Sequence, residues 1–225
     1  MRLFPIQPDS PSFVLKTEQH SVGDAGEAEI LRIIVGVTGA SGAVYALRLL
    51  ERLSRREDME IHLILSRAGE KTLFLETGKK AADLKALTKY SWPLDDISGP
   101  LASGSFRTEG MIISPCSVHT MSAIACGISS NLMIRAADVV LKERRRLVLS
   151  VRESPFHLGH LRTMAALAEM GAIIAPPIPG FYNSPRTIED LVDFSVDRML
   201  DLMGLPDELT RRWNGPVRSS AEEES

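Results

Sequence analysis

Polar residues suited to a phosphorylated ligand recur where the apolar runs of this chain stop. The run Leu31-Arg-Ile-Ile-Val-Gly-Val37 gives way to Thr38-Gly-Ala-Ser-Gly42, and a helical pattern begins at Ala43. A strand, a tight glycine turn and a helix N-terminus in that order aim backbone N–H groups at an anion, whose negative charge the helix dipole favours. The same residues also suit a purely structural turn. Other runs end at Ser66, at Pro115-Cys-Ser-Val-His-Thr120, at Arg152-Glu153 and before Pro176-Pro-Ile-Pro-Gly-Phe-Tyr-Asn183. Ligands of open parallel sheets gather beyond the carboxyl ends of the strands. Hydroxyls, an arginine, a carboxylate and a phenol would then share one edge.

The glycines at 36, 39 and 42 give G-x-x-G-x-x-G rather than the dinucleotide fingerprint G-x-G-x-x-G. A dinucleotide site also wants an acidic residue at the end of the second strand. Here that end is Leu65-Ser66, and Glu60 lies at the strand's start. NAD is disfavoured, and a mononucleotide such as FMN fits better. Ser41 is not in a nucleophile elbow, because G-x-S-x-G requires glycine where this chain has Ala43. It reads as a hydrogen-bonding group.

Ser117 either holds a polar ligand group or caps a helix. Cys116 reads as a small buried side chain. His119 stands alone, and His157 and His160 share a helix face without a third ligand, so no metal is expected. Arg135 and Lys142 lie seven residues apart, on nearly one helix face. That pair suits a phosphate or forms a solvated basic face. Arg198 reads by itself as a surface ion-pair residue. Glu76 and Glu153 are carboxylates available for acid–base work or for ion pairing.

Positioning these residues requires strands near 31–37, 60–65, 110–114, 147–151 and 172–175. Helical patterns lie near 43–56, 68–77, 117–126, 132–145, 157–170 and 187–203. The alternation predicts an α/β fold, an open parallel sheet with helices on both faces. The Gly/Ser-rich stretch Ser98–Thr108 is a lid, a ligand-contacting loop or a connection. The net charge of −3 resides in the first 29 residues, where Arg2 and Lys16 are outnumbered by Asp9, Glu18, Asp24, Glu27 and Glu29. The remainder is neutral, which disfavours general nucleic-acid binding. No run reaches membrane-spanning length, and two cysteines without metal spacing suit a reducing cytoplasm. Residues 1–29 read as a mobile extension, 30–213 as one domain and 214–225 as a flexible tail.

Taken together the motifs resemble the flavin prenyltransferases, the UbiX/Pad1-like proteins formerly described as 3-octaprenyl-4-hydroxybenzoate or phenylacrylic acid decarboxylases. The likeness runs from about Arg32 to about Trp213. It rests on Val37-Thr-Gly-Ala-Ser-Gly42, Leu65-Ser66, Leu75-Glu-Thr77, Ala102-Ser-Gly-Ser-Phe106 and Pro115-Cys-Ser117. It continues through Arg135-Ala-Ala-Asp-Val-Val-Leu-Lys-Glu-Arg-Arg145, Val151-Arg-Glu153, Pro179-Gly-Phe-Tyr182 and Glu189-Asp-Leu-Val-Asp-Phe194.

The resemblance implies a Rossmann-like (flavodoxin-like) fold, a homododecamer and active sites between subunits. It implies transfer of a dimethylallyl group from dimethylallyl monophosphate to reduced FMN, at N5 and then C6. The prenylated FMN would serve a UbiD-like decarboxylase. By position, Gly39, Ala40, Ser41, Ser66, Ser117, Val118, His119, Thr120 and Arg152 are the implied FMN-binding residues. Val118 and His119 would contribute backbone contacts. Tyr182 and Arg198, helped by Arg135, Lys142 and Glu153, are the implied phosphate clamp. Ser41 and Glu76 are implied in chemistry near N5. Two alternatives compete with this reading. One is an FMN-dependent decarboxylase of the phosphopantothenoylcysteine or peptidyl-cysteine type, which would carry an early histidine and a P-A-S-A-N-T-like stretch. The other is a non-catalytic flavin carrier, which needs no phosphate clamp.

Overall fold

The β-branched run Leu31–Val37 forms β1, the middle of the sheet, and it is buried on both faces. Ile33, Val35 and Val37 enter one apolar cluster and Ile34 the other, the period-2 alternation of a strand covered on both sides. A computed structural model describes residues 30–206 of the chain. The expected extension at 1–29, the tail at 214–225 and the domain end at 213 lie outside the described residues.

Five further strands run parallel to β1: β2 (Met59–Leu65), β3 (Tyr90–Trp92), β4 (Gly110–Cys116), β5 (Arg146–Val151) and β6 (Ile173–Ile174). The order is β3-β2-β1-β4-β5-β6. The five strands expected from sequence have the flavodoxin-like order, and β3 extends that sheet at one edge. On one face pack α1 (Ala43–Leu53), α2 (Arg67–Thr77), α3 (Ala81–Lys85) and α7 (Ile188–Met203). On the other lie α4 (Val118–Ala125), α5 (Leu132–Lys142), α6 (Leu158–Glu169) and a 3-10 turn at Pro100–Ala102.

The edge strand β3 and the short α3 are absent from the sequence expectation, because three residues of strand and five of helix show no period. A tertiary contact fixes β3. Trp92 Nε1 donates to His62 Nδ1 at 3.0 Å, and Tyr90 stacks on the same imidazole with centroids 5.0 Å apart. Since Nδ1 accepts, the ring proton sits on Nε2 and faces Glu60 Oε1 at 3.0 Å. Burial pushes the His62 pKa down, so the ring is neutral. Burial raises the Glu60 carboxyl, but bonds from Lys89, Arg32 and His62 outweigh it and hold it at about 2. Glu60 is thus consumed by an ion cluster at the strand's start, away from any ribose.

The stretch Ser98–Thr108 is pinned to α5 and to the residue that precedes β5. Arg135 Nε donates to the Ala102 carbonyl at 3.3 Å, and Arg145 donates to the carbonyls of Phe106 at 2.8 Å and Gly104 at 2.7 Å. On the opposite face Arg52 of α1, only 5% exposed, reaches Asp197 of α7 at 2.7 Å and Asp193 at 3.5 Å. That buried pairing fixes α7 against α1.

Candidate active site

The chain leaves β1 for β2 and β3 on one side and returns beside β1 as β4. The loops after β1 and β4 therefore diverge, which makes the crevice where open α/β sheets bind ligands. Thr38 bridges it. Its buried hydroxyl donates to the Pro115 carbonyl at 2.6 Å and accepts the Ser117 N–H at 3.0 Å. The Ser66 N–H donates to the Val37 carbonyl and the Arg152 N–H to the Cys116 carbonyl, each at 3.0 Å. Four strand ends are laced into one rim. Sequence reasoning passed over Thr38; its signal was a hydroxyl directly between an apolar run and a glycine turn.

Ser66 and Ser117 are helix caps as well as rim residues. Ser66 Oγ accepts the Gly69 N–H at 3.0 Å, and Ser117 Oγ accepts the Thr120 N–H at 3.3 Å. The first amides of a helix have no intrahelical partner. The N–H groups of Arg67 and Ala68, and of Val118 and His119, are therefore left for a ligand at the starts of α2 and α4. For His119 the group on offer is the backbone N–H.

The start of α1 differs from the expected phosphate cradle. Gly42 is the N-cap, at φ 106°, and offers no side chain. The Glu76 carboxylate, from the last turn of α2, takes its place. Oε2 accepts from the N–H of Gly42 at 2.9 Å and of Ala43 at 2.8 Å. The glycine turn does bind an anion, but the anion belongs to the protein. Gly39 serves close packing, since a Cβ there would lie 2.4 Å from the Ala68 Cβ.

Partial burial pushes the Glu76 carboxyl up. Hydrogen bonds from the Ser41 hydroxyl and the Ala43 and Gly42 amides, with the charge of Arg152, outweigh this and leave it below its ordinary value. Ser41, Glu76 and Arg152 thus form one electrostatic group. The exposed Arg152 guanidinium has no hydrogen bond among the described residues. Glu153 Oε1 accepts the Ser154 N–H at 2.9 Å. Burial pushes the Cys116 thiol up to about 12, so it is no nucleophile.

Tyr182 packs edge-on against Phe194 of α7, with centroids 5.7 Å apart. Arg198 is one turn further along the same helix face, 3.4 Å from Asp201. Arg135 and Lys142 are not brought to them within one chain. They lie on α5, across the sheet, where Arg135 pairs with Asp138 at 2.7 Å and Lys142 pairs with Glu143. Among the described residues no cluster of His, Cys, Asp and Glu could hold a metal ion.

Open amides at two helix starts, an unbonded guanidinium and rim hydroxyls at a switch point fit a phosphorylated mononucleotide such as FMN. The flavoprotein family model matches residues 23–200. The flavin prenyltransferase UbiX of Thauera aromatica is 48% identical over 185 residues, covering 82% of this chain and 95% of that protein. The dodecameric FMN-dependent UbiX-like decarboxylase of Escherichia coli O157:H7 superposes with a TM-score of 0.81 at 45% identity, over 82% of this chain and 100% of that one. The structure of AnUbiX (PadA1) in complex with FMN and dimethylallyl pyrophosphate superposes with a TM-score of 0.80 at 46% identity, over 82% and 98%. The chain belongs to the flavoprotein family and, within it, to the flavin prenyltransferases of the UbiX type.

Proposed function

We propose that this chain joins the dimethylallyl group of dimethylallyl monophosphate to reduced FMN, at N5 and C6, and that the prenylated FMN passes to a UbiD-like decarboxylase. The observation that carries the reading is the single rim that unites Ser41, Glu76 and Arg152 with the open amides of α2 and α4. The prenyltransferase description of the relatives favours it over the cysteine-decarboxylase and flavin-carrier alternatives.

Reduced FMN supplies the nucleophilic atoms. The protein's task is to hold both partners and stabilise the leaving phosphate. Arg152 and the amides of Val118 and His119 take oxygens of the nucleotide, with Gly39, Ala40, Ser66, Ser117 and Thr120 shaping the rim. Ser41 and Glu76 serve the chemistry at N5, where an ionised carboxylate orients the Ser41 hydroxyl. Tyr182 and Arg198 bind the phosphate of the prenyl donor. Charge that grows on this phosphate as the allylic C–O bond breaks is met by fixed positive groups, which is how preorganised sites lower a barrier. Glu153 relays a proton to the released phosphate.

One copy leaves this clamp half built, with Tyr182 53% exposed and Arg135 and Lys142 across the sheet. A neighbouring copy completes it by presenting its own α5. The same assembly covers Leu75, Ile178, Phe181 and Ile188, each at least 70% exposed in one chain, an unusual load of open apolar surface. The working state is a homo-oligomer, a dodecamer as in the Escherichia coli relative. Among the described residues no helix is long and apolar enough to cross a membrane. Two free cysteines suit the cytoplasm. Phosphate release from dimethylallyl monophosphate, dependent on reduced FMN, tests the function; no release with either the mono- or the pyrophosphate donor rejects it.

A further inference from the structure

His157 lies between the strand-end pair Arg152-Glu153 and α6, and it closes that helix with its ring. The imidazole Nδ1 accepts the N–H of Gly159 at 3.0 Å and of His160 at 3.4 Å. Helix caps are normally short hydroxyl, amide or carboxylate side chains. Here an imidazole on an extended backbone does the same work. Gly159 makes room for it, since a Cβ there would lie 2.8 Å from His157 Cε1 and 3.0 Å from Nδ1. The His160 ring stacks on His157 with centroids 3.5 Å apart, and Phe156 meets His160 edge-on at 6.3 Å. This cluster anchors the far end of an exposed loop. Its near end is held by the Arg152 N–H on the Cys116 carbonyl.

A nitrogen that accepts two N–H groups cannot carry a proton, so the cap requires the neutral ring with its proton on Nε2. Protonation would turn Nδ1 toward two donors as a third donor. It would also place a cation at the positive end of a helix and against the His160 ring. The titratable groups of this segment are Arg152, Glu153, His160, Arg162 and, at the far end of α6, Glu169. Of the elements packed on α6, α4 contributes His119 and β6 contributes none. Glu153, the carboxylate in the loop, is bonded to the Ser154 amide.

We propose that His157 is a positioning residue for prenyl transfer: its neutral ring holds the loop that presents Arg152 and Glu153, and its protonation releases that loop. The consequence for catalysis rests on the function proposed above, whereas the cap itself does not.

The test follows hydrogen–deuterium exchange over residues 152–162 of the full-length protein between about pH 5 and 8, corrected for intrinsic exchange, in wild type, His157→Asn and His157→Ala. Asn caps helices well and does not titrate. Wild type and His157→Asn are expected to be equally protected at high pH. Toward low pH the wild type loses protection roughly five-fold, the equivalent of a cap worth about 1 kcal/mol, while His157→Asn keeps it. His157→Ala lacks the protection throughout. In parallel, kcat/KM for dimethylallyl monophosphate falls more steeply toward low pH in the wild type than in His157→Asn. Wild type and His157→Asn following one pH course in exchange would overturn the proposal, and so would superimposable pH profiles of kcat/KM for the two. The expected exchange pattern in a chain that never prenylates FMN would overturn the functional reading and leave only the cap standing.

Discussion

Glu76 closes the helix that starts at Ala43 from 33 residues away in the chain: its Oε2 lies 2.8 Å from the Ala43 amide nitrogen. An anion-binding turn is thereby filled by the protein's own carboxylate, which in turn holds the Ser41 hydroxyl. The same contact ties the end of α2 to the start of α1, so the rim's electrostatics and its rigidity share a residue.

Replacing Glu76 should therefore act on stability and on chemistry together. Glu76→Ala is expected to cost about 1 kcal/mol, the usual worth of a helix cap, and to abolish prenyl transfer. Because the folded-state carboxyl lies below its ordinary value of 4.5, its contribution is complete above that pH. It is lost as pH falls below it. Glu76→Gln, which still accepts a hydrogen bond, should show a shallower loss of stability in acid. Denaturant unfolding at neutral and acid pH measures both effects.

Thr38 holds the two sides of the switch point together. Thr38→Val removes the donor to the Pro115 carbonyl and leaves the Ser117 amide without its acceptor. Buried polar groups left unpaired cost about 1–3 kcal/mol. FMN affinity should fall with stability, and Thr38→Ser should recover much of both. Fluorescence titration with FMN, alongside thermal unfolding, checks this.

Tyr182 packs against Phe194 of α7, and Arg198 lies one turn further along that helix, so both belong to an element other than those that carry the residues assigned to the nucleotide phosphate. Tyr182→Phe and Arg198→Ala should slow prenyl transfer at least ten-fold, roughly the weight of one charge-assisted hydrogen bond. FMN binding should persist in both. Loss of FMN binding in both variants would contradict the division of the site into two subsites.

Much of this was legible in the chain. The buried strands β1, β2, β4 and β5 announce themselves as β-branched runs, and the starts of α1 and α7 are marked by Gly42 and by the Thr187–Asp190 capping box. The polar strand ends could be read off in order. What escaped were contacts between residues far apart in sequence. The Glu76 cap joins two helices, Trp92 fixes an edge strand through His62, and Thr38 works because β4 returns beside β1. None of these leaves a period or a local motif. Arg135 and Lys142 share a helix face as their spacing indicates, but the sheet stands between them and Tyr182.

A site shared between copies makes a further expectation. Arg135→Ala and Arg198→Ala should each be slowed at least ten-fold alone. Coexpressed, they should regain roughly a quarter of wild-type activity, the share of sites in which random symmetric assembly unites two intact contributions. No recovery would mean that one copy supplies both arginines.

The most direct measurement is the mass of the flavin after anaerobic incubation of the protein with reduced FMN and dimethylallyl monophosphate. A gain of one prenyl group, absent without enzyme and at least ten-fold slower to form in Arg198→Ala, is the expected result. Flavin recovered at its original mass, from protein that demonstrably binds FMN, would contradict the account.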